Sequence, residues 1–289
     1  MSMNEKLHLN GLVLYYHLLS IDVILGVLAG AIMAVKITGI HPGLAWWVVL
    51  PFSVWWIYLT DHYIDGLRHR ELTKNPRHLF FFKNRYTVLL VLIMISLINL
   101  VLILVYLPFR IIIFGGIAGL IVILYLAGVK FLKTQNFLVF PKEIIVAILY
   151  VAGIWGSLMF YDLSCFNYEL LILIIAYFLV TVMNLFIYSF YEEKTDMEDG
   201  QITIFTYFGR KKAKIIMIAG LLLSIFFVIY HVVWEMSTRL GSYGLILILF
   251  MLIFQTVLVL YSSYFQGNFR YRWMNEGVFL LPVVFMLFD

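Results

Sequence analysis

Uninterrupted apolar runs of about 18 residues or more recur along this whole chain, and each is long enough to cross a membrane as a helix. Only 12% of the 289 residues are charged, whereas soluble proteins carry about 25%. The runs are continuous rather than alternating, which argues against a transmembrane barrel. The sequence therefore predicts an all-α polytopic membrane protein. Its single cysteine, Cys165, allows neither an internal disulfide nor a cysteine-based metal site.

We predict about nine transmembrane helices, bundled around a central cavity that opens to the cytoplasmic side, in a single domain covering residues 1–289. The first run is long and contains Asp22, so we expect a retained helix rather than a cleaved signal peptide. The expected spans are approximately 12–35, 43–60, 86–107, 109–129, 143–161, 168–190, 213–234, 243–262 and 274–288, of which the last is short.

The basic residues predict the orientation of these spans. With nine spans, 17 of the 20 Lys and Arg residues fall on the side that holds the N-terminus, and only Lys36, Arg110 and Arg239 fall on the other. Because positive charge is retained in the cytoplasm, we expect the N-terminus and the loops 61–85 and 191–212 there, in a bacterial-type cytoplasmic membrane.

Two bursts of acidic residues, each at the end of a span, are the candidate functional sites. Asp61, Asp65 and His69 are spaced four residues apart, and Glu192 and Asp196 repeat that spacing, so each set lies on one helix face. Carboxylates are hard ligands that suit Mg²⁺, and basic residues follow both bursts. We expect the two acidic helix ends to face each other across the cavity, to hold a metal, and so to handle a diphosphate. Topology and contact with anionic lipid explain most of the basic residues equally well.

The second burst carries a resemblance to the UbiA superfamily of intramembrane prenyltransferases. That family has a DxxxD pair followed by a Gly, a Thr and a closing Gly, and this chain has Asp196, Gly200, Thr203 and Gly209 at the matching offsets. Glu192 replaces the upstream acid of the pair. The family's tyrosine and basic residue at the end of the fourth span correspond here to Tyr125 and Lys130, one residue wider than usual.

The first burst departs from the family pattern NDxxDxxxD. Only Asp65 is identical, Asp61 and His62 occupy the Asn-Asp positions, and His69 replaces the last Asp. Neutral imidazole is a poor ligand for Mg²⁺ but binds Mn²⁺ or Zn²⁺. Either the remaining acids suffice for metal binding, or the metal or substrate differs, or activity is lost.

The resemblance implies nine helices and metal-dependent transfer of a prenyl group from a prenyl diphosphate to an aromatic or other lipophilic acceptor. Asp61, Asp65, Glu192 and Asp196 would be the catalytic acids. The metal, Mg²⁺ with Mn²⁺ as the alternative, would be held by these acids together with His69. The expected substrate-binding residues are Lys130, Arg77, Lys83 and His62. The expected partners are the two substrates and membrane lipids, with no nucleic acid.

Asp22 is the other notable residue, since an ionisable group about ten residues into a span suggests function. It could line the acceptor site or make a polar contact between helices. Two other functions remain open. One is a non-catalytic, lipid-binding relative, which the two histidines favour. The other is a CDP-alcohol phosphotransferase, suggested by Asp65-Gly66 with Arg70, although His62 replaces an acid which that signature requires.

Overall fold

The computed structural model describes residues 11–72, 75–131, 142–235, 237–267 and 270–288, apart from the side chains of residues 11–14, 69, 72 and 126–131. The elements in these ranges are helices and helical turns, which confirms the predicted all-α class. Seven of the helices in the described ranges are long and apolar enough to cross a bilayer. The chain is therefore an integral, polytopic membrane protein.

The helices follow one another with short connections. The first are α1 (Gly11–Leu18), α2 (Ile21–Thr38), α3 (Leu44–His69), α4 (Pro76–Lys83) and α5 (Arg85–Tyr106). Then come α6 (Phe109–Phe131), α7 (Lys142–Val151), α8 (Ser157–Tyr161), α9 (Tyr168–Glu198) and α10 (Ile204–Phe208). The last are α11 (Arg210–Trp234), α12 (Arg239–Leu260), α13 (Ser262–Gln266) and α14 (Arg270–Gly277). A π-helical segment, Ala152–Gly156, joins α7 and α8 into one span.

The first and last predicted spans are not continuous α-helices. The predicted span over residues 12–35 is interrupted between α1 and α2, where Ser20 has a φ of 56° that an α-helix cannot accommodate. The last span consists of α14 followed by a 3₁₀ helix, Val278–Leu287. This 3₁₀ helix contains Pro282, which has no amide hydrogen to donate to an α-helical ladder. The seven intervening predictions correspond to α3, α5, α6, α7–α8, α9, α11 and α12.

The chain forms two compact units. The first comprises Met1–Leu28 and Gly43–Leu107. In it, α3 packs against α4 and α5. Their shared core contains Leu59, Phe81, Val88, Leu92 and Ile95. The other face of α5 exposes leucine, isoleucine and valine side chains, as expected of a helix that contacts lipid.

The second unit comprises Ala29–Pro42 and Pro108–Asp289. Its central element is α9, which contacts α7, α11 and α12 and has a larger share of buried residues in its apolar stretch than the other six candidate spans of the described chain. The carboxylate of Glu169, in the first turn of α9, accepts hydrogen bonds from the backbone and hydroxyl groups of Ser237 and Thr238. The start of α9 is therefore held against the start of α12.

Candidate functional site

The C-terminal end of α3 and the helix α4 approach each other closely in the first unit. Gly66 makes this approach possible, because a Cβ at this position would lie 2.9 Å from the backbone oxygen of His78 and 3.0 Å from the backbone nitrogen of Phe82. The side chain of Asn75 accepts a hydrogen bond from Arg77 N and caps α4, and Pro76 occupies its first turn. The sequence Asn75-Pro76 therefore starts a short helix that presents Arg77 and His78 to α3.

Arg77 contacts two groups of the first unit. Its Nη1 lies 3.0 Å from Nε2 of His62, and its Nη2 donates a hydrogen bond of 2.7 Å to the carbonyl oxygen of His17. A guanidinium has only donors, so Nε2 of His62 must accept, and the ring proton of His62 must lie on Nδ1. His62 is therefore a neutral imidazole that orients Arg77. His62 and the carbonyl oxygen of His17 are both uncharged acceptors.

The acidic residues at the end of α3 lie one turn apart and are partly buried. Oδ2 of Asp65 is 3.7 Å from Nε2 of His78, which is within ion-pair range but too long for a hydrogen bond. His78 is only 2% exposed. Asp61 also lies in α3, and Lys83 is exposed at the last residue of α4. The side chain of His69, predicted as a metal ligand, lies outside the described residues.

Asp22, predicted from the sequence alone, has a specific partner. Its Oδ2 is 2.5 Å from Nδ1 of His17, and its Oδ1 accepts from the backbone nitrogen of Val23. His17 was not predicted as a site residue from the sequence. On an unbroken helix, residues five apart point about 140° away from each other, so the spacing gave no signal. The turn at Ser20 brings them together.

The second unit holds Glu192 in a polar network. Oε1 of Glu192 lies 2.7 Å from Nη2 and 2.9 Å from Nε of Arg272, and it accepts from the hydroxyl of Tyr271 at 3.1 Å. The ring of Tyr271 stacks on Tyr191 with the two centroids 4.3 Å apart.

Asp196 lies one turn after Glu192 and is partly buried. The charged groups around it are Lys142, Glu143, Glu192 and Asp199. Lys142 donates to the side chain of Gln201 at 2.6 Å, which holds the segment after α9 against the start of α7. Asp196 therefore lies where two helices and one loop meet inside the second unit.

Glu143 also belongs to this site, although it was not predicted as a site residue from the sequence. It is 3% exposed, and its Oε1 accepts hydrogen bonds from the hydroxyl of Ser189 at 2.6 Å and from Ile204 N at 3.0 Å. It thereby connects α7, α9 and the first residue of α10. An acid in the first turn of an apolar helix is a common, weakly informative feature, so this role of Glu143 was hard to predict from the sequence.

The three residues that follow Asp196 in the family pattern shape this loop. Gly200 and Gly209 have φ values of 65° and 76°, which favour glycine. Thr203 caps α10 and forms a reciprocal capping box with Thr206. Arg210, the first residue of α11, forms an ion pair with Glu193. The side chain of Lys130, predicted to bind diphosphate, lies outside the described residues.

A groove of 420 Å³ lies between α9 and α11 in the second unit. Leu179, Met183, Phe226 and Phe227 are among the residues that line it, and no charged side chain does. Such a lining suits hydrocarbon and offers no charge to a diphosphate. The acidic residues predicted to bind metal lie elsewhere, at the ends of α3 and α9.

The fold and these clusters define a class: an all-helical, polytopic membrane protein with acidic residues at the ends of two of its spans. Among solved structures, the chain is similar to digeranylgeranylglyceryl phosphate synthase, with a TM-score of 0.55 and 16% sequence identity. The similarity covers 94% of this chain and 97% of that chain. That synthase is a UbiA-superfamily prenyltransferase, so the resemblance expected from the sequence is confirmed at the level of the fold. No family model and no curated protein matches the sequence.

Proposed function

We propose that this protein transfers a prenyl group from a prenyl diphosphate to a lipophilic acceptor within the membrane, and that residues 1–289 act as one catalytic domain. The observation that carries the proposal is the fold shared, over 94% of the chain, with an enzyme named for a prenylated glyceryl phosphate. The acidic residues at the ends of α3 and α9 support it, because Asp65, Glu192 and Asp196 occur where the family pattern has acids. The 17 basic residues expected on one face support a cytoplasmic location for both clusters.

The donor atoms of both clusters suit Mg²⁺, with Mn²⁺ as the alternative. Among the described residues, no three His, Cys, Asp or Glu side chains converge on a common metal position. Mg²⁺ does not require three, because it is usually bound by one or two carboxylates together with substrate phosphates and water. Asp61, Asp65 and Asp196 would supply these oxygens. Glu192 could contribute only through Oε2, because Arg272 holds Oε1. His69 would be the remaining ligand.

The other residues would bind and orient the substrates. When bound, the metal would neutralise the charge that develops on the diphosphate as the prenyl group leaves. Arg77, held in place by His62, would hold the same oxyanion by charge-assisted hydrogen bonds. Lys83 and Lys130 would add positive charge. Asp22 would lie at the acceptor side.

The proposal is tested with the full-length protein in lipid nanodiscs and radiolabelled geranylgeranyl diphosphate. Two acceptor probes, an alkylglyceryl phosphate and an alkylphenol, cover alcohols and phenols. We expect transfer with Mg²⁺ or Mn²⁺, and none after chelation with EDTA. Asp65→Asn and Asp196→Asn should each lower turnover at least 100-fold, in the range found when one charge-stabilising group is removed.

The binding of an unreactive thiolodiphosphate analogue of the donor separates this proposal from its alternatives. A non-catalytic, lipid-binding relative would bind the analogue with or without metal and transfer nothing. A CDP-alcohol phosphotransferase would release CMP from a CDP-alcohol instead. Unchanged binding of the analogue in both Asp variants, together with the absence of transfer, would contradict the proposed enzyme.

A further inference from the structure

The groove between α9 and α11 lies on a different side of α9 from the acidic cluster. Met183 lines the groove, and Asp196 follows it 13 residues later in the same continuous helix. Residues at that spacing point about 140° away from each other. Leu223 and Phe226, which border the groove on α11, are exposed. In a membrane such exposed apolar side chains contact lipid, so a hydrocarbon chain of the bilayer meets the groove directly.

A strip of exposed side chains continues the groove along α11 to a lysine. Lys212 and Tyr230 are 18 residues apart, which is five turns of an α-helix, so both lie on the same side of α11. Tyr230 lines the groove, and Ile216 and Leu223 lie between the two residues on this groove side. Along the helix axis, Lys212 is about 12 Å from Gly220, the groove residue nearest to it. One leaflet of hydrocarbon is roughly 15 Å thick, so a lipid chain that starts at Lys212 reaches the groove.

The basic residues at the start of α11 differ in their contacts. Arg210 and Lys214 lie over the ring of Phe190 in α9, at 5.1 Å and 5.8 Å from its centroid. Lys211 and Lys212 are exposed, and neither forms an ion pair or a hydrogen bond within the described part of the chain. Neighbouring residues of a helix are turned by about 100°, so Lys212 lies on the groove side and Lys211 does not. A lysine at the start of an apolar span lies near the lipid headgroups and attracts anionic lipid.

The two ends of α11 differ in charge. Four of its first five residues are basic, whereas no Lys or Arg occurs from Ile215 to Trp234, and Glu235 follows the helix. A negatively charged headgroup is therefore attracted to the end that carries Lys212 and repelled from the end at Glu235. The apolar groove and this charge together fit a lipid that has both an acyl chain and an anionic headgroup.

We propose that an anionic phospholipid binds to the groove side of α11, with its phosphate at Lys212 and one acyl chain running past Ile216 into the groove beside Gly220. The phosphate accepts a charge-assisted hydrogen bond from the ammonium group of the lysine. The end of the chain packs between Met183 and Leu223, which line the groove on its two helices. This inference does not depend on prenyl transfer, because a protein without transferase activity would bind the lipid in the same way.

Native mass spectrometry of the full-length protein, titrated with palmitoyl-oleoyl phosphatidylglycerol or phosphatidylcholine, tests the headgroup contact. The two lipids have the same chains and differ in headgroup charge. We expect phosphatidylglycerol to bind about fivefold tighter, the effect of one lysine near a membrane surface. Lys212→Gln should remove this preference, whereas the matched control Lys211→Gln should retain it. Equal losses in the two variants, an unchanged preference in Lys212→Gln, or no preference in the unsubstituted protein would overturn the inference.

Gly220→Leu tests the position of the acyl chain. The new side chain would occupy the groove, and the atoms nearest to its Cβ belong to the flexible end of Met183. Because the groove is then filled, we expect palmitoyl-oleoyl phosphatidylglycerol to bind about tenfold more weakly. Dihexanoyl phosphatidylglycerol has chains too short to reach the groove from Lys212, so its binding should not change. Equal weakening of both lipids would overturn the placement of the chain.

A second pair of variants tests the same contact without a change in the helix interior. Leu222 and Leu223 are 60% and 68% exposed, and of these two only Leu223 lines the groove. Leu223→Ala should weaken binding of palmitoyl-oleoyl phosphatidylglycerol about threefold, because van der Waals contacts with the chain are lost. Leu222→Ala should leave that binding unchanged. The same affinity in both variants would overturn the groove as the site of the chain.

Discussion

Arg272 binds a single carboxylate oxygen of Glu192 through two of its nitrogens, Nη2 at 2.7 Å and Nε at 2.9 Å. Both side chains are 20% exposed, so the pair is largely removed from water. It connects α9 to α14 and gives the first acid of the second pair a structural partner. The two acids of this pair, Glu192 and Asp196, should therefore respond differently to substitution.

We predict that Glu192→Gln lowers the free energy of unfolding by about 2 kcal/mol, because Arg272 keeps its charge and loses its anionic partner. The change should weaken metal-dependent donor-analogue binding much less than Asp196→Asn does. Thermal unfolding in nanodiscs and equilibrium binding measure the two effects. Equal losses of binding in the two variants, with no change in stability, would show that Glu192 is mainly a metal ligand.

Gly66→Ala should destabilise the first unit by about 1–3 kcal/mol, because the added methyl group meets two backbone atoms of α4 that cannot turn aside. The displacement of α4 should also weaken donor-analogue binding through Arg77. Gly119→Ala is the matched control, since a Cβ there meets nothing within 4 Å. In that helix interior, alanine should stabilise by about 0.5–1 kcal/mol. Equal effects of the two substitutions on unfolding would contradict the close contact between α3 and α4.

His62→Asp introduces an acid at a position where the family pattern has one, yet we expect it to weaken donor binding about tenfold. The new carboxylate would pair with Arg77 and offset part of its positive charge, whereas His62 accepts from Arg77 without adding a negative charge. His62→Gln retains a neutral acceptor and should change the Kd of the donor analogue only slightly. Tighter Mg²⁺-dependent binding in His62→Asp would instead indicate that the imidazole leaves a metal site incomplete.

Glu143→Ala should release α10 from α7 and α9, because the amide of Ile204 and the hydroxyl of Ser189 both lose their acceptor. We expect a loss of about 2 kcal/mol in stability, together with faster hydrogen exchange over residues 201–206. Hydrogen-exchange mass spectrometry measures the second effect directly. Glu71→Ala removes an exposed glutamate and should leave exchange in this segment unchanged. Unaltered exchange in both variants would contradict the anchoring role of Glu143.

The helical architecture was largely predictable, because apolar runs of membrane-spanning length leave few alternatives. The first and last predicted spans are not continuous α-helices, and each of these departures has a local cause. Ser20 is a serine in a left-handed turn, which the sequence does not distinguish from an ordinary helical serine. Pro282 lies well inside its predicted span, but Pro51 occupies the interior of α3 without ending that helix. A proline alone therefore did not identify the 3₁₀ segment.

The residue types of the candidate site could be predicted from the sequence, but the contacts between these residues could not. Asp22 and Glu192 were selected for their charge, and each has a partner that depends on tertiary structure, His17 and Arg272 respectively. Arg272 is distant in sequence, and His17 is nearby but out of helical phase. The interpretation of His62 as a substrate-binding residue stays a prediction; its contact with Arg77 supplies a physical reason for an imidazole at that position.

The polar contacts at the two ends of α9 have a consequence for the bilayer itself. Glu169 is bound to Ser237 and Thr238 near one end, and Glu192 is bound to Arg272 near the other. The two glutamates are about 34 Å apart along the helix axis, slightly more than the hydrocarbon thickness of about 30 Å. A helix held at both ends cannot tilt independently to relieve hydrophobic mismatch. This protein should therefore require lipids of matching acyl-chain length, and shorter or longer chains should strain one of the two attachments.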